Sequence, residues 1–217
     1  MTNPSTDFKF VVPEEYMEFI RKHELHRSDE QLKIKYQIRA VMALTDVYPA
    51  FEELGATTAD TYLDIGCGIG GPSAWFAHIM KATKVHLIDG SDGAAPRSSG
   101  WNEEAKAWND VMVAKKIVQA NVGKDVEVIA HYAGCPITEF RPLSLDLITS
   151  FRSWGHHYNV PTYTALAQHA LKPNGLILLD VRNKTKGIDQ MNKAGFAQVV
   201  QVPNHSKKCE RWIFKRA

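Results

Sequence analysis

Between residues 61 and 73 the chain reads TYLDIGCGIGGPS, an apolar β-type run followed by four glycines in six positions and then a proline. This order constrains the fold more than any other stretch. A strand that enters a glycine turn and leaves through a proline, a residue suited to the first helical position, is the start of a strand–turn–helix unit. Glycine permits tight turns and close ligand approach, while the free N–H groups of the following helix face whatever occupies the turn. A tight turn alone needs fewer glycines than Gly66, Gly68, Gly70 and Gly71 supply. The loop therefore reads as a cradle for a nucleotide-like ligand.

The rest of the chain repeats the unit. Apolar runs at TYLDI (61–65), KVHLID (84–89), VEVIAHY (126–132), LDLITSF (145–151) and GLILLDV (175–181) alternate with helical stretches at 72–82, 102–123 and 161–173. Such alternation predicts βαβ units and a parallel sheet. Asn102 is the expected N-cap of the second helix and Gly123 lies beyond its end; Trp108, in helical phase with Ala105, Met112 and Lys115, is expected in the core. The tail FAQVVQVPNHSKKCERWIFKRA (196–217) holds two β-like runs whose PNHSKK link is too short for a parallel crossover, so they should pair antiparallel.

Upstream, residues 1–12 read as a polar, mobile end, and Pro13 opens a helix with Glu14 and Glu15 in its first turn. Ser28 and Gln31 make a capping box for a second helix, with Leu32, Tyr36, Ala40 and Ala43 at four-residue steps until Pro49. The expected organisation is an N-terminal helical appendage or cap over residues 1–55 and a main domain over 56–217.

With 44% hydrophobic and 23% charged residues the composition is that of an ordinary globular chain, which excludes disordered and fibrous classes. The net charge of +2 and the lack of a basic cluster beyond Lys207-Lys208 argue against a nucleic-acid partner. The three scattered cysteines form neither a disulfide framework nor a zinc cluster. No signal peptide and no membrane-spanning run is evident, so a cytoplasmic location without membrane association is expected. Oligomeric state does not follow from the sequence.

Gly66, Gly68 and Gly71 also spell G-x-G-x-x-G, the dinucleotide fingerprint, which by itself is weak. The combination of DIGCGIG (64–70) after a strand, a second strand ending at Asp89, FRSWGHHY after the fourth, LKPNGLILLD at the fifth and the closing hairpin resembles the class I S-adenosylmethionine-dependent methyltransferases. The resemblance covers roughly residues 60–217. It implies an α/β, Rossmann-like, doubly wound and mostly parallel seven-stranded sheet, with S-adenosyl-L-methionine as cofactor. Asp64, Gly66, Cys67, Gly68 and Gly70 match the motif that cradles the amino-acid half of that cofactor. Asp89, with Gly90 and Ser91 behind it, matches the acid that accepts hydrogen bonds from the ribose. After the third strand many members carry an acid that meets the adenine amino group; here Ala133, Gly134 and Cys135 stand instead, and backbone groups of Gly134 and Cys135 would have to substitute.

Ligands of open α/β sheets bind beyond the carboxyl ends of the strands, which places Phe151 and Arg152 beside the cofactor. Methyl transfer needs a base only when the acceptor holds a tightly bound proton. His156 and His157 are the candidates, because the ordinary pKa of a histidine side chain lies near neutrality, against a plain loop role; without accompanying cysteines or acids they make no metal site, and none is expected. Tyr158, and Arg97 and Trp101 in the loop 90–108 that is expected to cover the active site, are candidate substrate contacts. The expected function is methyl transfer to oxygen or nitrogen of a small molecule. The alternatives are a nicotinamide-dependent oxidoreductase using the same glycines and Asp89, and a methyltransferase fold kept as a binding module without turnover.

Overall fold

The structure, a computed structural model, describes residues 8–23, 27–41, 46–90, 110–204 and 206–217. Its centre is a seven-stranded sheet of β1 (Thr61–Ile65), β2 (Lys84–Asp89), β3 (Glu127–Tyr132), β4 (Leu145–Ser150), β5 (Leu171–Arg182), β6 (Phe196–Val202) and β7 (Cys209–Arg216). The strand order is β3-β2-β1-β4-β5-β7-β6. The first five strands are parallel, and β7 inserts antiparallel between β5 and β6. Order reverses between β1 and β4, and it is beyond the carboxyl ends of strands at such a switch that ligands bind.

Helices cover both faces, as strands buried on two sides require. On one face α4 (Gly71–Ile79) and α5 (Val111–Val122) pack with Tyr62, Val85 and Leu87, together with the N-terminal helices α1 (Met17–His23), α2 (Asp29–Val41) and α3 (Val47–Glu53). On the other, α6 (Pro161–Ala170) and α7 (Gly187–Lys193) pack on Leu63, Ile65, Ile148 and Ile177. Among the described residues no helix is long and apolar enough to cross a membrane.

The sequence and the structure part at several ends. The capping box forms as read: Gln31 N–H donates to Ser28 Oγ at 3.3 Å and Ser28 N–H to Gln31 Oε1 at 3.1 Å, and Leu32, Tyr36 and Ala40 are the buried stripe of α2. Pro49, however, sits inside α3 rather than ending a helix; in a first turn its missing N–H costs no bond. Residues 8–12 are not a free end. Phe8, Phe10 and Val12 are buried in alternation, and the strap is clipped by side-chain amides: Gln37 Nε2 donates to Phe8 O at 3.0 Å, Asn121 Oδ1 accepts from Val11 N–H at 2.7 Å, and Asn121 Nδ2 donates to Val11 O at 2.7 Å.

Helix α5 starts at Val111, where the Asp110 side chain accepts from Met112 N–H, so Asn102 is not its N-cap. Met112 is 40% exposed and the buried stripe is Val111, Ala114, Ile117 and Val118; Ala105 and Trp108 lie outside the described residues. Helix α6 stops at Ala170, because Leu171 already pairs with Leu145 of β4. The short α3 and α7 were not foreseen.

Candidate active site

The glycine turn forms at the end of β1, where Gly66, Gly68 and Gly70 take φ of +75°, +59° and +82°, a region that other residues enter at a cost. Each glycine faces a different neighbour. A Cβ on Gly66 would lie 2.1 Å from Ser153 Cβ, and one on Gly70 2.1 Å from Val118 Cγ2 of α5. One on Gly68 would meet no protein atom within 4 Å among the described residues. Gly71, in α4, is the close-packing glycine, with Ala40 Cβ of α2 3.2 Å from where its own Cβ would be. Gly66 and Gly70 thus admit protein, while Gly68 leaves room over the turn.

Asp89, at the end of β2, holds the turn from the side. Its Oδ2 accepts from Gly68 N–H and its Oδ1 from Gly90 N–H, both at 2.7 Å. The acid read as the ribose partner is therefore within one hydrogen bond of the open glycine. Gly90 O also accepts from Val111 N–H at 3.2 Å, which ties the end of β2 to the start of α5. Ser91, Arg97 and Trp101, with most of the loop 90–108, lie outside the described residues.

Asp64 is buried beneath the turn. Its carboxylate accepts from Ser73 Oγ of α4 at 2.6 Å and from Thr149 Oγ1 of β4 at 3.0 Å, and Tyr62 OH lies 2.7 Å from the same Thr149 oxygen. Burial, outweighing these hydrogen bonds, raises its pKa from the ordinary 3.8 to about 6. Asp64 ties three elements together under the loop, and neither Ser73 nor Thr149 was singled out in the sequence. The Cys67 side chain belongs to the core, and burial, then the charges of Asp89 and Asp64, pushes its thiol pKa well up. A place for Cys67 among the binding residues rests on its backbone.

The segment after β4 folds back onto the turn. Ser150 Oγ donates to Ile65 O at 2.7 Å and accepts from Trp154 N–H at 2.8 Å, while Ser153 O accepts from the N–H groups of His156, His157 and Tyr158 at 2.8–3.1 Å. Trp154 is fully buried and donates through Nε1 to Val160 O. These bonds seat Ser153 against Gly66. Arg152 is exposed, at φ +59°. Phe151 stacks on Phe76, with ring centroids 6.0 Å apart, and carries the Arg211 guanidinium 4.8 Å from its ring centre. Arg211 in turn donates to both oxygens of the buried Asp180, at 2.8 and 3.2 Å. Neither Arg211 nor Asp180 was flagged by the sequence; a paired buried Asp and Arg on adjacent strands has no local spacing to mark it. Beside them a cleft of about 450 Å³ opens between the end of β5 and the β6–β7 link, lined by Asn183, Gln201, Asn204, Glu210 and Arg211 among others.

His156 is buried, its Nδ1 has no hydrogen-bond partner among the described residues, and its ring lies 4.7 Å from that of His157. Burial first, then the positive neighbourhood of His157, Arg182, Arg152 and Lys208, lowers its pKa to about 4, so it is a neutral imidazole at pH 7. Tyr158 is half-buried; burial and then the Asp89 charge raise its pKa. Tyr163, at the start of α6, is raised as well by burial, Tyr158, Asp89 and Cys135, in that order. Asp89, Tyr158, Tyr163 and Cys135 therefore share one electrostatic neighbourhood. Tyr163 was missed because a Tyr in a helix's first turn reads as packing.

The turn after β3 completes this edge. Ala133 N–H donates to Asp89 O and Cys135 N–H to Tyr132 O, both at 2.9 Å, with Gly134 exposed at φ +87°. The backbone bond to Asp89 is thus made by Ala133, and Gly134 and Cys135 follow it in the same closed turn.

A methyltransferase-domain family profile matches residues 34–210. No curated protein sequence matches significantly. Among solved structures, magnesium protoporphyrin IX methyltransferase from Synechocystis PCC 6803, with bound S-adenosylmethionine, superposes with a TM-score of 0.58 at 13% identity over 94% of each chain. The 1,6-didemethyltoxoflavin-N1-methyltransferase of Burkholderia thailandensis, with 1,6-didemethyltoxoflavin and S-adenosylhomocysteine bound, gives 0.55 at 16% identity over 98% of this chain and 93% of that one. At these identities the likeness is one of fold.

Proposed function

The chain belongs to the class I S-adenosylmethionine-dependent methyltransferase family, and we propose that it transfers the methyl group to oxygen or nitrogen of a small-molecule acceptor. The observation that carries this reading is Asp89, whose carboxylate accepts from Gly68 N–H and Gly90 N–H, beside a turn glycine over which no protein atom of the described residues lies within 4 Å of an added Cβ. A ribose laid there finds a charged acceptor at the rim, and charge-assisted hydrogen bonds of this kind contribute about 1.5–3 kcal/mol. Gly66–Gly70 would hold the methionine half of the cofactor, and the Gly134–Cys135 backbone with Tyr158 and Tyr163 would hold its base.

The cofactor supplies an electrophilic methyl on a sulfonium, so the chain's own task is to place an acceptor in line with it. The segment 151–158, stitched to β1 by Ser150 and pressed against Gly66, forms that side of the site. His156, whose Nδ1 has no hydrogen-bond partner among the described residues, serves as the base for a hydroxyl or ring N–H substrate, a weak one because its pKa is lowered to about 4. Arg211, fixed by Asp180 and held over the Phe151 ring, orients the far end of the substrate in the neighbouring cleft. The small-molecule class is supported by two of the fold relatives, the magnesium protoporphyrin IX methyltransferase and the 1,6-didemethyltoxoflavin-N1-methyltransferase. The test is transfer of label from methyl-tritiated S-adenosylmethionine to a panel of planar hydroxy- and amino-heterocycles, with tRNA and a ribosomal protein fraction as macromolecular comparators. Label in a heterocycle supports the proposal; label only in a macromolecule overturns the acceptor class.

A further inference from the structure

On the β3 edge of the sheet, outside the residues given a role in transfer by their side chains, three metal-ligating groups of different chemistry converge. His131 at the end of β3, Cys135 in the turn that follows and Glu139 in a 3₁₀ turn (Ile137–Glu139) each present one donor atom, and the three atoms lie within 4.8 Å of one another. We propose that His131, Cys135 and Glu139 bind a single divalent cation of the zinc class.

The donor set is an imidazole nitrogen, a thiolate and a carboxylate, which are zinc's own ligands; magnesium and calcium take oxygen alone. Tetrahedral bonds of about 2.0–2.3 Å separate ligand atoms by roughly 3.3–3.8 Å. His131 Nδ1 and Glu139 Oε2 stand 2.6 Å apart and must spread, while the Cys135 sulfur closes in. Both movements fall to side chains with room to make them, since Cys135 is half-buried and Glu139 exposed. Three protein ligands leave a fourth position for water.

A second shell is already in place. His131 Nε2 lies 2.9 Å from Nδ1 of the buried His86, and Phe140 packs against both rings, with centroids at 4.5 and 5.4 Å. A metal-bound imidazole characteristically donates its other N–H to such a partner, which fixes the ring and its tautomer. On binding, Cys135 loses its thiol proton to solvent, His131 turns its Nδ1 lone pair to the ion and carries its own proton on Nε2, and His86 takes the tautomer protonated on Nε2 so that its Nδ1 accepts from His131. The turn carrying Cys135 is fixed by its own hydrogen bond to Tyr132 O, and Glu139 N–H donates to Pro136 O at 3.0 Å, so the ligands ride on short, closed turns. The spacing, His-x₃-Cys-x₃-Glu, was legible at 131–139 but spans a strand end, a turn and a 3₁₀ turn, where no helical or hairpin register draws attention to it.

The proposal does not depend on methyl transfer and is tested without it. The metal-free full chain is titrated with cobalt(II), followed by the near-ultraviolet thiolate-to-cobalt charge-transfer band, and then with zinc against a chromophoric chelator. One equivalent is expected to bind with the band present. Cys135→Ser should abolish the band and weaken zinc about 100-fold or more, since even second-shell losses cost about 10- to 100-fold; Glu139→Gln should keep the band and weaken zinc. Cys209→Ser, a buried cysteine elsewhere, should change neither. His131 is left intact because its burial would confuse ligand loss with unfolding, and circular dichroism of the metal-free variants checks their folds. Absence of the band, or its survival in Cys135→Ser, overturns the site.

Discussion

The three positive-φ glycines of the turn make a test that separates folding from binding. Alanine at Gly68 forces a left-handed backbone, costing about 1–2 kcal/mol, but stiffens the unfolded chain by about 0.4–1 kcal/mol, so a net loss of about 1 kcal/mol is expected. Its new methyl meets no protein atom of the described residues within 4 Å, and points into the space assigned to the cofactor. Affinity for S-adenosylhomocysteine should therefore fall at least about tenfold, or 1.4 kcal/mol. Alanine at Gly66 has the same backbone penalty, but its methyl would overlap Ser153 Cβ at 2.1 Å. Relieving that overlap displaces the segment stitched to β1, which adds the roughly 1–3 kcal/mol of overpacking, for a total of about 2–4 kcal/mol. Gly55→Ala is the control, at φ +67° with nothing within 4 Å but on the far side of the domain before β1. Urea denaturation and titration calorimetry of the three variants give the two readouts. Undiminished cofactor affinity in Gly68→Ala, or a Gly66→Ala no less stable than Gly68→Ala, refutes the reasoning.

Asp64 should make the protein less stable as pH rises. Its folded pKa of about 6 lies above the ordinary 3.8, so the unfolded chain ionises first, and a displacement of that size removes about 3 kcal/mol between pH 4 and pH 6 and above. Asp64→Asn, which keeps a hydrogen-bonding oxygen for Ser73, should abolish that slope in denaturation curves taken across the range. Arg211→Ala leaves Asp180 as a buried charge without its main partner and should cost about 3–5 kcal/mol, whereas Asp180→Leu with Arg211→Met should recover most of it; equal losses in both variants would contradict this. If His156 is the base, the acid limb of kcat should fall near pH 4 rather than near 6.5, because its protonation is suppressed in the fold. A pH–rate profile with an acid limb at 6.5 that persists in His156→Gln would assign the proton transfer elsewhere.

What the sequence disclosed was governed by range. The runs at 61–65 and 84–89 became strands to the residue because fully buried parallel strands are continuously apolar. The glycines and Asp89 were legible because a ligand cradle demands special residue types close together. The glycines' division of labour was not, since Ser153 and Val118 reach Gly66 and Gly70 only through the fold. The same holds for Asp64: its position in the motif was readable, but its partners Ser73 and Thr149 lie on other elements. The strap at 8–12 was misread as free because five residues, four of them apolar and three of those buried, carry too little pattern to outweigh a polar start. Asp110 capping α5 was missed because Asn102 offers the same chemistry earlier in the chain, and single-residue caps compete on equal terms until packing selects one.

The most direct measurement is calorimetric binding of S-adenosylmethionine, S-adenosylhomocysteine and NAD to the intact protein and to Asp89→Ala. The account predicts binding of the first two and not of NAD. Loss of a charge-assisted contact of about 2–3 kcal/mol predicts affinity weakened roughly 30- to 150-fold in the variant. Binding of NAD alone, or equal affinity for S-adenosylhomocysteine in the two proteins, would contradict the assignment of Asp89 and the glycine turn to this cofactor.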